Sequence, residues 1–173
     1  MTKVFPKTFE ELVELSPKIV QRKLEQLRFL RERADFHPEA STYEHIKIVT
    51  ERLFKTGDKA LILTGLLHDI CKFDTVRLNP KNGHPTCPGH DQAAYDLIMD
   101  ADNGVMKFIL SFDVNPGKVA NLCKEHMRVK QLPLMKPSKQ EALKSSDLYP
   151  QLEVFTRADD MLKEFTVWNK FIF

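Results

Sequence analysis

The chain has 173 residues, enough for one domain that buries a core without disulfide staples. A hydrophobic content of 42% and a charged content of 29% fit an ordinary soluble globular protein. The net charge of +2 argues against a general nucleic-acid coat protein or a polybasic membrane binder.

Ten prolines against six glycines suggest helices separated by proline-marked joints. Thr8-Phe9-Glu10-Glu11 is a capping-box pattern, a hydroxyl and a carboxylate placed to satisfy free N–H groups, and opens a short helix to about Leu15. Ser16-Pro17 supplies an N-cap and a proline at the first helical position for a second helix. Val20, Leu24, Leu27 and Arg31 follow at helical spacing, with an end near Ala34. Residues 35–42 (DFHPEAST) read as a loop, and Ser41 or Thr42 starts the next helix. Its stripe is Ile46, Val49 and Leu53, its stop is Gly57, and His45 lies beside the stripe. Asp58 caps a helix over 59–72 that is apolar nearly all round and therefore central. The following loop, 73–89, holds three prolines and two glycines between Asn79 and Gly89. Loops that long in a compact domain are usually functional or disordered.

His90 opens a helix with Ala93, Ala94, Leu97 and Ile98 on one face, and 105–112 forms another. Asn115-Pro116 caps the next, where Val119, Leu122, Cys123 and His126 share a stripe. A basic connector with a short helix near 139–145 leads to a last helix from about Pro150 to Phe165 or beyond. No run of period-two alternation flanks a tight glycine turn, so no β-hairpin is expected. The fold class expected is all-α, a compact bundle with irregular helix packing.

Three cysteines, Cys71, Cys87 and Cys123, form no C-x-x-C pair, so a reducing cytoplasm is the natural compartment. No signal peptide is visible, and the longest apolar run is far shorter than a membrane span. Between 117 and 144, Lys118, Lys124, Arg128, Lys130, Lys136, Lys139 and Lys144 face only Glu125 and Glu141. That local excess suits a phosphate-bearing ligand; a solvated helix face accounts for it equally well.

His68-Asp69 lies near the end of the most apolar stretch, ALILTGLLHDICK (60–72). An unpaired carboxylate in such surroundings costs several kcal/mol, so something must compensate its charge. In the last helix Leu152, Phe155, Asp159 and Leu162 lie on one apolar stripe, while Asp160 sits on a more polar face with Thr156 and Glu164. A carboxylate in a core stripe is either paired or bound to metal. His126 poses the same puzzle, and a histidine satisfied within the core is its plainer explanation. The count favours a metal: His45, the His68-Asp69 pair, His126 and Asp159 come from four different predicted helices, and His90 stands at a helix start. Imidazole with carboxylate suits a divalent transition metal (Mn, Fe, Co, Ni or Zn) and is compatible with Mg, one or two ions per chain. No thiolate cluster marks a structural zinc site.

His45, His68, Asp69 and Asp159 form an H…HD…D pattern in order and in helical context. In this the chain resembles the HD-domain metal-dependent phosphohydrolases, and His90 and His126 match the extra histidines that many of them use for a second metal. The blocks HPEASTYEH (37–45), LLHDICKFDTVR (66–77), GHDQAA (89–94), EHMR (125–128) and RADD (157–160) look closest to the HD domain attached to bacterial CCA-adding tRNA nucleotidyltransferases. The similarity covers about 36–163. It implies a single HD domain over 1–173, with 1–35 as a helical extension packed on it. It also implies a metal-bound hydroxide acting on nucleotide-type phosphoesters, foremost as a 2′,3′-cyclic phosphodiesterase and phosphatase. The nucleotidyltransferase head has no counterpart: Asp100-Ala101-Asp102 is a D-x-D by letters but sits at a helix end without a Gly-rich turn, and reads as surface. A stand-alone hydrolase without CCA addition is expected.

The basic residues supply the substrate side, where the family pattern also has them. Lys72 lies one helical turn past His68, Arg77 follows in the adjoining loop, and Arg128 is two residues past His126. Lys72 and Arg128 are expected to contact phosphate, with surface charge as the alternative. Asp69 and Lys72 are the catalytic candidates. His37 serves as general acid or substrate contact, or only packs or caps its loop. Nothing in their spacing demands a role for His84 or Cys87. Cys71 reads as packing, and Trp168 with Phe171, Ile172 and Phe173 as core or dimer contacts. The expected partners are a nucleotide or phosphoester small molecule and RNA ends, without a membrane. Two alternatives stay open: hydrolysis of nucleoside triphosphates, dinucleoside polyphosphates or cyclic nucleotides, and a catalytically quiet nucleotide-binding HD module.

Overall fold

Side-chain caps start several helices where the sequence places them. In this computed structural model, which describes residues 3–31 and 41–160, Thr8 Oγ1 accepts from Glu11 N at 3.2 Å and opens α1 (Phe9–Leu15). Ser41 Oγ accepts from Glu44 N at the start of α3 (Thr42–Phe54). Asp58 Oδ1 accepts from Ala60 N and Leu61 N at 2.9 and 3.2 Å and opens α4 (Lys59–Leu67). These caps satisfy N–H groups that have no partner within the helix.

Between α1 and α3, α2 (Lys18–Leu27) carries Pro17 at the N-cap rather than at the first helical position, so it starts one residue later than expected. It stops at Leu27 rather than near 34. Arg28 N and Phe29 N turn to carbonyls three residues back, and Leu30 returns to the core, where its carbonyl accepts from Thr42 N at 3.0 Å.

The helix expected over 59–72 is two elements, α4 and α5 (Lys72–Thr75), separated by a turn. His68 N still reaches Thr64 O at 2.8 Å, but Ile70 N and Lys72 N bond to Leu67 O and Asp69 O. These tighter bonds end the regular helix at the His68-Asp69 pair. The long loop contains a short hairpin that the alternation rule missed: β1 (Arg77–Leu78) pairs antiparallel with β2 (Pro85–Thr86). Two residues per strand leave no period to detect. Turn chemistry holds it instead, with Asn79 Oδ1 accepting from Lys81 N, Asn82 Oδ1 from His84 N, and Asn79 N donating to His84 O.

Next come α6 (His90–Met99), α7 (Val105–Leu110) and α8 (Pro116–Lys130), the last capped by Asn115 with Pro116 at its first position. A 3₁₀ turn (Leu132–Leu134) leads to α9 (Pro137–Lys144) and α10 (Tyr149–Asp159). At the end of α10, Arg52 Nη1 from α3 donates to Ala158 O at 2.8 Å and Asp160 O at 3.4 Å, satisfying carbonyls of the last turn. The expected continuation to Phe165, with Leu162, Trp168 and the terminal aromatics, lies outside the described residues. The described residues are all-α apart from the hairpin.

α4 is the axis of the bundle: 60–67 are all buried, and α3, α8 and α10 pack around it, with α6 against α8. At roughly 2 kcal/mol per buried aliphatic side chain, Leu61, Ile62, Leu63, Leu66 and Leu67 anchor the charged residues that follow them. α3 approaches α4 closely at Gly65, where a Cβ would meet Thr50 Cα at 3.0 Å. Among the described residues no helix is long and apolar enough to cross a membrane.

Candidate metal centre

Three histidines are aimed by the same local device. His68 Nδ1 donates to Gly65 O at 2.9 Å, His90 Nδ1 to Cys87 O at 2.7 Å and His126 Nδ1 to Cys123 O at 2.5 Å. Each acceptor lies three residues before its histidine. Since a carbonyl can only accept, Nδ1 carries a proton and Nε2 faces inward, where it can ligate a metal that displaces any second proton. Gly89, at φ 76°, lets the chain turn directly into His90 at the head of α6. His45, from the first turn of α3, places Nε2 2.8 Å from Asp159 Oδ1 and 3.4 Å from His68 Nε2.

Asp69 stands between these groups and divides its two oxygens. Oδ2 lies 3.2 Å from His68 Nε2, 3.6 Å from His45 Nε2 and 2.8 Å from Lys72 Nζ. Oδ1 lies 3.2 Å from His90 Nε2 and 3.8 Å from His126 Nε2. Two sets of donors result, His45–His68–Asp69 and Asp69–His90–His126, with the atoms of each set within 4.8 Å of one another. Asp159 Oδ1 adjoins the first set, 3.6 Å from His68 Nε2, and its Oδ2 meets Lys130 Nζ at 2.5 Å. The four histidines and both aspartates are buried.

Two atoms test whether a metal fits. Asp69 Oδ1 and His90 Nε2 are buried without a hydrogen-bond partner among the described residues, although they lie 3.2 Å apart. With the His90 proton on Nδ1, two lone pairs face each other, an arrangement that a cation between them satisfies. A proton is the competing cation. Burial opposes charge on His90, but the Asp69 carboxylate outweighs it and raises the pKa.

The same contest runs through the centre. Burial disfavours charged His68, yet Asp69 and Asp159 overcome it and lift its pKa to about 10. Burial and then the His68 charge drive His126 the other way, to about 4. Burial works against both carboxylates; His68 and Lys72 hold Asp69 well below the usual range, and His45, His68 and Lys130 do so for Asp159. Burial pushes the Cys71 thiol up to about 12 and Cys123 well above its usual value, so neither is a thiolate available to metal.

The centre opens into a cleft of about 470 Å³ walled by Asp69, Lys72, His90, His126, Lys130 and Asp159, with Pro85 and Thr86 of the hairpin and Leu30 at its edges. A larger hollow of about 760 Å³, lined by residues of α1 and α2 with Tyr43, holds none of these histidines; size alone does not locate chemistry.

The other sequence candidates separate. Lys72 is buried in the cleft wall. Arg77 is exposed in β1 opposite Thr86 and does not line the cleft. Arg128 also points elsewhere: it pairs with Glu125 at 2.5 Å on the opposite face of α8. Two residues along a helix turn a side chain by about 200°. Lys130, four past His126 and so on its face, is the α8 cation that reaches the cleft, a register signal present in the sequence. His84 is exposed in the hairpin turn, while Cys87 lines the cleft and holds His90 through its carbonyl. Asp100 and Asp102 are exposed at the end of α6. His37 lies outside the described residues. Comparisons with family models, curated proteins and solved structures find no match.

Proposed function

We propose that the protein is a metal-dependent phosphohydrolase of the HD-domain type, acting on nucleotide-type phosphoesters and foremost on 2′,3′-cyclic phosphodiesters. The observation that carries this reading is the divided Asp69 carboxylate, one oxygen toward His45 and His68 and the other toward His90 and His126. His45, His68, Asp69 and Asp159 would hold one divalent transition metal ion or Mg, and His90 and His126 with Asp69 a second. A bound ion of this kind supplies Lewis acidity toward a phosphoryl oxygen and lowers the pKa of water from about 15.7 to about 7.

The chain's own residues do the rest. Lys72 keeps Asp69 ionised and in place through Oδ2, and Lys130 does the same for Asp159. Lys130, with its side chain one-third exposed, also presents positive charge to an anion entering the cleft. Hydrolysis adds one water to phosphorus as one P–O ester bond breaks, and a proton passes to the leaving oxygen.

Purified protein, stripped by chelation and dialysed, is to be assayed against 2′,3′-cyclic mononucleotides, nucleoside triphosphates, dinucleoside polyphosphates and cyclic dinucleotides with Mn, Co, Ni or Mg. Cyclic-phosphate cleavage that disappears on stripping and returns with metal is expected. Full turnover by stripped protein refutes metal dependence, and triphosphate cleavage alone refutes the substrate. Nucleotide binding without turnover under any metal would make this a binding module.

A further inference from the structure

The local excess of positive charge in the sequence resolves into a shaped surface. Arg128, Gln131, Leu134, Met135, Lys136 and Lys139 line a hollow of about 400 Å³ between the end of α8, the 3₁₀ turn and the start of α9. Three cations and no carboxylate face it. The larger hollow on α1 and α2 is different, because Glu10, Glu14 and Glu25 there balance Lys18, Arg22 and Arg28. Lys136 and Lys139 are exposed, and neither has an ion-pair partner among the described residues. The nearest acids do not cancel them: Glu125 is engaged by Arg128, and Glu141 lies exposed further along α9 without lining the hollow.

Position gives this charge a meaning. Gln131 lines both the basic hollow and the metal cleft, and Lys130 beside it reaches into the cleft. The two depressions therefore share a wall. An anion chain leaving the cleft over Gln131 passes Lys130, which engages Asp159, and enters a hollow that no carboxylate lines. Leu134, 89% exposed at the hollow's edge, offers an apolar contact that a nucleoside can cover and a bare phosphate cannot.

We infer that the hollow between α8 and α9 is a second phosphate site, and that the ligand of the cleft is a short single-stranded oligonucleotide whose next phosphate rests against Lys136 and Lys139. This rests on the proposed nucleotide-directed reading of the cleft but does not require turnover. Backbone neutralisation by lysine releases counterions and so carries a definite salt dependence.

The test uses the full chain and a fluorescein-labelled tetranucleotide in anisotropy titrations across salt, with a labelled mononucleotide for comparison. The tetranucleotide should bind about tenfold tighter than the mononucleotide in the unaltered protein. In Lys136→Gln/Lys139→Gln that advantage should vanish while mononucleotide binding stays within about twofold. The slope of log affinity against log salt should shrink by about 1.4, two contacts at about 0.7 each for a single strand. Lys118→Gln, an exposed lysine on α8, should retain the full slope. Equal affinity for both ligands in the unaltered protein overturns the inference, as does an unchanged slope in the double variant. Inorganic tripolyphosphate competing as well as the unlabelled tetranucleotide would overturn the assignment to a strand. A protein that binds the oligonucleotide in this way but hydrolyses nothing would retain the second site and lose the enzymatic reading.

Discussion

Gly65→Ala sets two known effects against each other at the point where the fold controls the candidate metal centre. Alanine in a helix interior is favoured over glycine by about 0.8–1.0 kcal/mol, so propensity alone predicts a more stable protein. The added Cβ, however, would lie 2.9 Å from Leu53 Cδ1, 3.0 Å from Thr50 Cα and 3.1 Å from Thr50 Oγ1. A leucine methyl can rotate away; a main-chain Cα cannot. Overpacking costs about 1–3 kcal/mol, and contact with backbone places this case near the upper end. The net expectation is a loss of about 2 kcal/mol, and a fall in Tm of about 4–8 °C for a chain of this size. The displacement also reaches the site. Thr50 lies on α3 with His45, and Gly65 O fixes the His68 ring, so parting α3 from α4 parts two imidazoles now 3.4 Å from each other. Disturbing such a supporting partner costs about 10- to 100-fold in metal affinity. Urea unfolding of the metal-free variant and calorimetric titration with Mn²⁺ measure the two effects. A Gly65→Ala protein more stable by about 1 kcal/mol, with unchanged metal affinity, would show that close helix approach does not position these ligands.

Asp69→Asn removes the anion shared by both donor sets, and elemental analysis should find metal lost from both, with far-UV circular dichroism preserved. His90→Ala spares the His45–His68–Asp69 set and should lower the metal content by one ion per chain if two are bound; loss of all metal would refute independent sets. Lys130→Gln also loosens Asp159, so at saturating metal it should raise KM about tenfold through one lost charge-assisted contact, with Lys118→Gln unchanged; an unaltered KM would remove Lys130 from the proposed substrate site. In metal-free protein, His126 stays neutral in the fold between pH 6.5 and about 4, so its contribution to stability falls as pH drops through that range. His68, raised from 6.5 to about 10, contributes fully below 6.5 and loses that contribution as pH climbs toward 10. Stability of the stripped protein should therefore peak near pH 6.5, and metal affinity should rise with pH up to about 10 as the ion displaces the His68 proton. Urea midpoints that climb steadily from pH 5 to 9 would contradict this.

Much of this centre is legible in one dimension because helical register is a local property. Asp159 separates from Asp160, and His126 joins the buried stripe of α8, on spacing alone; the structure buries Asp159 and His126 and leaves Asp160 at the helix end, half-exposed. Caps at Thr8, Ser41, Asp58 and Asn115 set helix starts for the same reason, since each needs only its own next three residues. The break after Leu67 was hidden, because 68–72 holds no glycine or proline to mark it, while Ile70 N and Lys72 N turn to carbonyls three residues back. The hairpin was hidden by its brevity.

By itself, then, the sequence determined an all-α chain and which histidines and carboxylates turn inward, since caps and a 3.6-residue period act within a few residues. Tertiary structure alone decided which of them meet. The division of Asp69 between two histidine pairs and the pairing of Lys130 with Asp159 depend on how α3, α4, α6, α8 and α10 pack together. Those contacts join residues as much as 114 positions apart, a range over which local spacing carries no information.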